Sequence, residues 1–195
     1  MKFSELLFPK KYGQYDLPLS YRTRTAVYTK INTSIHIEKI WYVFKYQDPV
    51  IKQFISDIKR GLEFDKIHEI KIIIDTVIAQ LISSKISPSL DLIATVSSDR
   101  KRLNKRGFFV PDEIASTATN IFGIQYNSPE LASLHKDIRK KQLLNIILLK
   151  DLTHITSLLL LDDVVTTGLT FTEHAKKIKQ EYPRIKIYCL AFAGV

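Results

Sequence analysis

The fold of this chain is decided by one stretch, SLLLLDDVVTTGLTFTE, at residues 157–173. Its four consecutive leucines are typical of a strand buried on both faces, as the strands of parallel sheets are. Two acidic residues, Asp162 and Asp163, follow the leucines, and a Thr/Gly-rich turn then leads into a helix-like pattern. Parallel strands present ligand-binding residues at their carboxyl ends, where a loop turns into a helix. We therefore expect the ligand site at residues 162–170.

The turn after the acidic pair has the composition of a phosphate-binding loop. Its glycine lets the backbone approach a ligand closely, and the N–H groups of the turn and of the helix start attract an anion. The two carboxylates repel phosphate but accept hydrogen bonds from sugar hydroxyls. A carboxylate pair followed by such a turn therefore fits a ribose 5-phosphate. The predicted phosphate-binding residues are Thr166, Thr167, Gly168, Leu169 and Thr170.

The pattern LLLLDDVVTTGLT resembles the signature with which type I phosphoribosyltransferases bind phosphoribosyl diphosphate (PRPP). The resemblance implies that Asp162 and Asp163 are catalytic residues that hold the 2′- and 3′-hydroxyls of the ribose, and that residues 166–170 hold the 5′-phosphate. It also implies that the ligand is PRPP or ribose 5-phosphate. Mg²⁺ would be the cofactor, coordinated mainly by oxygens of the diphosphate and the ribose.

Three further stretches are similar to the competence protein F (ComF) family of these transferases. They are YQDPVIKQFISDIK at residues 46–59, RLNKRGF at residues 102–108, and the Arg…Gln pair at residues 139–142. The chain departs from that family in three respects. With one cysteine, it lacks the N-terminal zinc ribbon of many members, and Phe109-Val110 stands where Asn-Gln usually follows Arg-Gly-Phe. The Arg…Asn segment that usually precedes the signature strand is shortened around residues 145–151.

The resemblance also gives a function to the basic loop SSDRKRLNKRGF, at residues 97–108. In the type I fold, this loop faces the signature loop across a cleft and takes the diphosphate. A diphosphate is bound by cations and backbone N–H groups. Arg102 and Arg106 are the first choices for this role, with Arg100 and Lys105 behind them. The alternative is a charged loop that is merely solvated.

The net charge of +9 favours a polyanionic ligand, but it does not choose between a diphosphate and a nucleic acid. Members of the ComF family are associated with DNA uptake and act on single-stranded DNA in the cytoplasm. One alternative function is therefore a non-catalytic module that binds single-stranded DNA, with a second basic stretch at residues 136–141. Another is a nucleobase salvage phosphoribosyltransferase, whose base-reading hood would come from the first 45 residues or so.

Other features of the sequence indicate where the protein is located and whether it holds a metal. No apolar run is long enough to cross a bilayer, and the N-terminus does not have the pattern of a signal peptide, so we expect a cytoplasmic protein without membrane partners. The five histidines show no metal-ligand spacing, so we expect no protein-held transition metal. Cys189, the single cysteine, lies in an apolar stretch typical of a buried strand.

Strands and helices alternate along the chain, which predicts an α/β fold with a mainly parallel sheet flanked by helices. We expect it to be type I phosphoribosyltransferase-like, with an N-terminal β-hairpin. Residues 1–47 would form an irregular segment and the hairpin, a candidate hood over the site, and residues 48–195 the transferase-like domain. The predicted strands are 25–31, 38–46, 90–96, 131–134, the leucine run 158–161 and 185–192, and the predicted helices are 48–61, 65–85, 111–122 and 170–181.

Overall fold

A computed structural model of the protein describes residues 17, 27–32, 34–60, 64–84, 90–97, 108–123 and 146–195. Within these ranges the chain forms eight strands and four helices. In chain order they are β1 (Tyr28–Lys30), β2 (Lys39–Lys45), α1 (Pro49–Lys59), α2 (Phe64–Ser83), β3 (Leu92–Thr95), α3 (Val110–Glu113), β4 (Thr119–Asn120), β5 (Phe122–Gly123), β6 (Ile147–Leu148), β7 (Ser157–Val165), α4 (Leu169–Glu181) and β8 (Lys186–Gly194). The strand predicted at 131–134 and the basic stretch at 136–141 lie outside the described residues.

Six strands form one sheet in the order β1-β2-β8-β7-β3-β4. In the series β2-β8-β7-β3-β4, every neighbouring pair is parallel. β1 pairs with β2 in the antiparallel direction. β5 and β6 form a separate antiparallel pair. The predicted α/β fold, with a mainly parallel sheet and an N-terminal hairpin, is confirmed. The hairpin extends the edge of the main sheet beyond β8.

The leucines of β7 explain why this strand lies inside the sheet. Successive side chains of a strand point to opposite faces. Leu158 and Leu160 pack in an apolar cluster with residues of α4, while Leu159 and Leu161 pack in a second cluster with residues of α1 and α2. All four side chains are fully buried. Helices therefore cover both faces of the sheet, and β7 is apolar on both sides, as predicted.

The sequence predicts the start of α1 from Asp48 as the N-cap and Pro49 as the first helical residue, and that start is confirmed. The side chain of Asp48 accepts a hydrogen bond from the N–H of Val50 (2.9 Å), and Pro49 occupies the first helical position. The apolar face of the helix is buried against the sheet. This packing fixes the direction of α1 and with it the position of its last residue, Lys59.

The apolar stripe of α2 is rotated slightly from the one that its sequence predicts. The spacing of apolar residues predicts a stripe of Ile67, Ile70, Ile74, Val77, Ile78, Leu81 and Ile82. Ile82 is 41% exposed, whereas Ile73, outside the predicted stripe, is 1% exposed. Residue 73 precedes Val77 by one helical turn and shares its face, while residue 82 lies beyond the edge of the stripe. Across the described ranges, α2 included, none of the helices combines the length and apolarity that a membrane crossing requires.

The helix predicted at residues 111–122 is wrong. α3 spans four residues, and β4 and β5 follow it. Side-chain bonds to other elements explain the difference. The hydroxyl of Thr95 donates to the carboxylate of Asp112 (2.5 Å), and the N–H and hydroxyl of Ser116 donate to Asp75 of α2 (3.0 and 2.6 Å). These bonds hold the chain beside β3 and α2, where β4 continues the sheet.

Candidate functional site

The candidate site lies at the carboxyl end of the main sheet, where β7 extends past β3. β3 pairs with β7 as far as Thr95, which is opposite Leu161, and the N–H of Val96 still donates to the carbonyl of Leu161 (3.0 Å). Asp162 and Asp163 are the next two residues. They belong to β7 itself, which corrects the prediction that they follow the strand. The acidic pair thus begins where the pairing of β3 with β7 ends.

The turn after β7 is tight and depends on Gly168. This residue has φ 77° and ψ 4°, a left-handed conformation that a residue without Cβ adopts most readily. The hydroxyl oxygen of Thr167 accepts a hydrogen bond from the N–H of Leu169 (3.3 Å), the first residue of α4. The first N–H groups of any helix lack a carbonyl partner one turn earlier. The turn therefore places the positive end of α4 next to the acidic pair.

A pocket that is partly open to solvent lies inside this turn. An anion in this pocket would lie at the start of α4, where backbone N–H groups attract it. All five residues predicted to bind phosphate line it, together with one of the two acidic residues. The lining consists of Asp162, Val164, Val165, Thr166, Thr167, Gly168, Leu169, Thr170 and Phe171.

Asp163 lies on the opposite face of β7 from Asp162 and forms an ion pair with Lys59 (Nζ to Oδ2, 2.5 Å). The N–H of Tyr46 donates to the carbonyl of Gly194 (2.8 Å), which places the end of β2 beside the end of β8. α1 then ends at Lys59, beside β7. The helix therefore crosses the carboxyl edge of the sheet and brings an ammonium group to the acidic pair.

Asp162 is the more buried member of the pair, with 8% of its surface exposed. Burial, and after it the negative charge of Asp163, raise the pKa of Asp162 well above its usual value, while the nearby Lys59 acts in the opposite direction. The N–H of Asp163 donates to Oδ1 of Asp162 (2.8 Å) and holds the carboxyl group in place. A ligand that donates hydrogen bonds, or a cation, would favour the ionised form of Asp162.

Cys189 lies in β8 and is fully buried, so its predicted place in a buried strand is confirmed. Burial and the charge of Asp162 raise the pKa of its thiol well above the usual value. A thiol that stays protonated is a poor nucleophile. Cys189 therefore acts as a packing residue near the site.

The four residues predicted to bind diphosphate lie outside the described residues: Arg100, Arg102, Lys105 and Arg106. The described residues on either side of them do carry information. Ser97, where the chain leaves β3, is 6% exposed and contacts His174 of α4. Asp112, in α3 after the basic stretch, is bonded to Thr95. The described residues on the two sides of the basic stretch therefore include Ser97 and Asp112, which are bonded to α4 and to β3 respectively.

Two residues of this region, Lys59 and His174, were not predicted to belong to the site. Lys59 could have been suspected because it is the basic residue in the last turn of α1. His174 has no signal in the sequence apart from its place one turn after Thr170. Both depend on tertiary placement, which a single sequence does not reveal.

In comparisons with known proteins, neither the scan against family models nor the search of curated proteins found a match.

Proposed function

We propose that this protein is a type I phosphoribosyltransferase-like protein, similar to the ComF family, that binds PRPP or ribose 5-phosphate. One observation carries the proposal: Asp162 and the whole turn from Thr166 to Thr170 surround one pocket at the end of a buried parallel strand. A phosphate-binding turn at a helix start and a carboxylate for sugar hydroxyls match the two ends of a ribose 5-phosphate.

In the proposed complex, the 5′-phosphate lies in the turn and accepts hydrogen bonds from backbone N–H groups at the start of α4. The threonine hydroxyls of the turn add donors. The ribose hydroxyls donate to the carboxylates of Asp162 and Asp163. Lys59 forms an ion pair with Asp163 (2.5 Å) and lowers the pKa of Asp162, which favours the ionised form of Asp162 that these hydroxyls require.

Carboxylate oxygens are ligands that Mg²⁺ accepts, so the donor set of the site fits this ion. In the described part of the chain, no group of three or more His, Cys, Asp or Glu side chains comes together. Mg²⁺ would therefore be held mainly by ligand oxygens, with Asp162 and Asp163 as the nearest protein donors. When bound, it would neutralise charge on the diphosphate.

The proposed reaction transfers the ribose from diphosphate to a nitrogen nucleophile. The bond between C1 of the ribose and the diphosphate oxygen breaks, and both electrons leave with the diphosphate. The nitrogen then forms a bond to C1 and releases its proton. Asp162 and Asp163 stabilise the positive charge that develops on the ribose, and Arg102 and Arg106 would stabilise the leaving diphosphate, so that catalysis rests on positioning and electrostatics.

Titration calorimetry with Mg²⁺ present tests the proposal. We expect PRPP and ribose 5-phosphate to bind, and 2-deoxyribose 5-phosphate to bind more weakly because it lacks one hydroxyl. The loss of one hydrogen bond to a charged group lowers affinity by roughly tenfold or more. Absence of binding by all three compounds would contradict the proposal. Binding of a single-stranded oligonucleotide under the same conditions would then favour the DNA-binding alternative.

The variant Lys59→Met is expected to weaken binding of ribose 5-phosphate, most strongly at low pH. Since Lys59 lowers the pKa of Asp162, its removal raises that pKa further and keeps the carboxyl group protonated to higher pH. Affinity should rise with pH in both proteins, but the rise should occur at higher pH in the variant. Calorimetry over a range of pH measures the shift.

Two matched variants support this measurement. Lys59→Arg keeps a cation at the end of α1 and should retain most of the affinity, whereas Lys52→Met removes an exposed cation from the same helix and should have no effect. Identical pH profiles for Lys59→Met and the unaltered protein would show that Lys59 does not govern the acidic pair.

A further inference from the structure

His174 forms a buried link between two segments of the site. It lies in the second turn of α4, and its side chain has no exposed surface. Nδ1 lies 2.7 Å from the carbonyl oxygen of Thr170, and Nε2 lies 2.8 Å from both the backbone nitrogen and the hydroxyl oxygen of Ser97. The ring of Phe122 packs edge-on against the imidazole, with 4.6 Å between ring centroids. The imidazole is thus held from three sides.

The partners of the imidazole determine its protonation. A carbonyl oxygen only accepts hydrogen bonds, so Nδ1 carries the proton. A backbone N–H only donates, so Nε2 carries the lone pair. Burial lowers the pKa of His174 to about 4, against a smaller opposing effect of the bond to Thr170, so the ring is neutral at physiological pH. The histidine is therefore a connector with one donating and one accepting end, and not a proton donor to a ligand.

The two ends of this connector belong to different parts of the site. Thr170 lines the phosphate pocket and is part of the first turn of α4. Ser97 is the last described residue before the basic stretch that follows β3. The two residues are 73 positions apart in the sequence, and the fully buried imidazole joins them through hydrogen bonds, of which those to Ser97 are buried. Hydrogen bonds in such a low-dielectric environment are strong and geometrically restrictive.

We infer that His174 is a positioning residue that fixes the distance between the phosphate-binding turn and the carboxyl end of β3 at Ser97. The inference rests on the proposed function. A ribose at Asp162 would lie beside this end of β3, because the N–H of Val96 donates to the carbonyl of Leu161. A ribose 5-phosphate uses the turn and the acidic pair, whereas PRPP also carries a diphosphate, which would lie at the end of β3. A fixed distance between the two therefore matters for PRPP and much less for ribose 5-phosphate. His174 should contribute selectively to the preference for the diphosphorylated ligand.

Two substitutions of His174 each remove the hydrogen bonds at one end of the side chain. In His174→Asn, the amide nitrogen lies near the place of Nδ1 and still donates to Thr170, but the side chain is too short to reach Ser97. In His174→Gln, the amide oxygen reaches the place of Nε2 and accepts from Ser97. Ser97→Ala is a milder change that removes the hydroxyl and keeps the backbone N–H. The quantity to measure is the ratio of the Kd for ribose 5-phosphate to the Kd for PRPP, with Mg²⁺ present.

We expect His174→Asn to lower this ratio about tenfold, as the loss of a buried hydrogen bond between the segments would. The Kd for ribose 5-phosphate should change little, and His174→Gln should recover much of the ratio. Ser97→Ala should lower the ratio of the two Kd values by a smaller factor. Thermal melting shows whether the histidine variants fold, and Ser97→Ala provides the test if they do not.

The outcomes separate the inference from the proposed function. If the unaltered protein binds neither ligand, the proposed function fails. If it prefers PRPP, and folded His174→Asn and Ser97→Ala keep the same ratio, the inference is wrong while the proposed function stands. Equal losses of affinity for both ligands would also overturn the inference, because they would indicate a general structural role.

Discussion

Replacement of both Asp162 and Asp163 by asparagine is expected to abolish binding of PRPP and ribose 5-phosphate. The carboxylates would accept hydrogen bonds from the ribose hydroxyls, and each bond to a charged acceptor contributes about 1.5–3 kcal/mol. Loss of two such bonds lowers affinity by a hundredfold or more, since about 1.4 kcal/mol corresponds to a factor of ten. Calorimetry with Mg²⁺ present measures this loss.

A substitution of aspartate by asparagine next to the other end of β7 provides a matched control. Asp91 accepts hydrogen bonds from the N–H and hydroxyl of Thr156 and from the N–H of Ser157, far from the pocket. Asp91→Asn should leave binding intact. Unchanged affinity in the double variant at Asp162 and Asp163 would exclude this pair as the site of the ribose.

Substitution of Asp162 and of Asp91 by asparagine should also change the stability of the protein in opposite directions. Because the pKa of Asp162 is raised, the folded protein retains a proton that the unfolded chain releases, and stability falls as the pH rises toward the folded-state pKa. Asp162→Asn removes this loss and should raise the Tm at neutral pH, by roughly 2–4 °C for each kcal/mol gained. Hydrogen bonds lower the pKa of Asp91, so its stabilising contribution is present at neutral pH and lost as the pH falls. Asp91→Asn should therefore lower the Tm.

A variant that is more stable and no longer binds ligand would identify Asp162 as a residue kept for function at the expense of stability. Buried carboxyl groups are uncommon unless they are paired or used for binding. A lower Tm for Asp162→Asn would instead indicate a structural role for this carboxyl group.

The main features of the site were predictable because they are consecutive in the sequence. Four leucines, two acids and a Thr/Gly turn follow one another within one strand-turn-helix unit, so local patterns place them together. The start of α1 was predictable for the same reason, since Asp48 and Pro49 act on the residues that follow them directly. Local chemistry determines these elements.

What the sequence did not reveal depends on contacts between distant segments. The helix predicted at residues 111–122 is replaced by short strands because Asp112 and Ser116 bond to β3 and α2. His174 and Ser97 are separated by 77 positions and meet only in the folded chain. Lys59 reaches the acidic pair because α1 crosses the sheet, which its own periodicity does not specify. In each case, tertiary hydrogen bonds or packing override or complete the local pattern.

The variant Gly168→Val is expected to abolish binding of phosphate and ribose 5-phosphate while the fold is kept. A Cβ atom at this position would lie 3.7 Å from Cδ1 of Ile40, an ordinary contact, so the expected effect does not come from a clash. It comes from the backbone, because φ is 77° and a side chain makes this left-handed conformation unfavourable by about 1–2 kcal/mol, more for a β-branched residue. The turn would relax and its N–H groups would no longer converge.

Gly168→Asn separates backbone strain from the mere presence of a side chain. Asparagine tolerates the left-handed conformation better than other residues with a side chain, so this variant should retain part of the affinity. Calorimetry with phosphate and ribose 5-phosphate, beside thermal melting, measures both properties. The expected order of affinity is Gly168, then Gly168→Asn, then Gly168→Val, with small changes in Tm because the turn lies at the end of the sheet and not in its core. A well-folded Gly168→Val that binds phosphate normally would show that the anion lies elsewhere, since the convergence of the N–H groups depends on the conformation that valine disfavours.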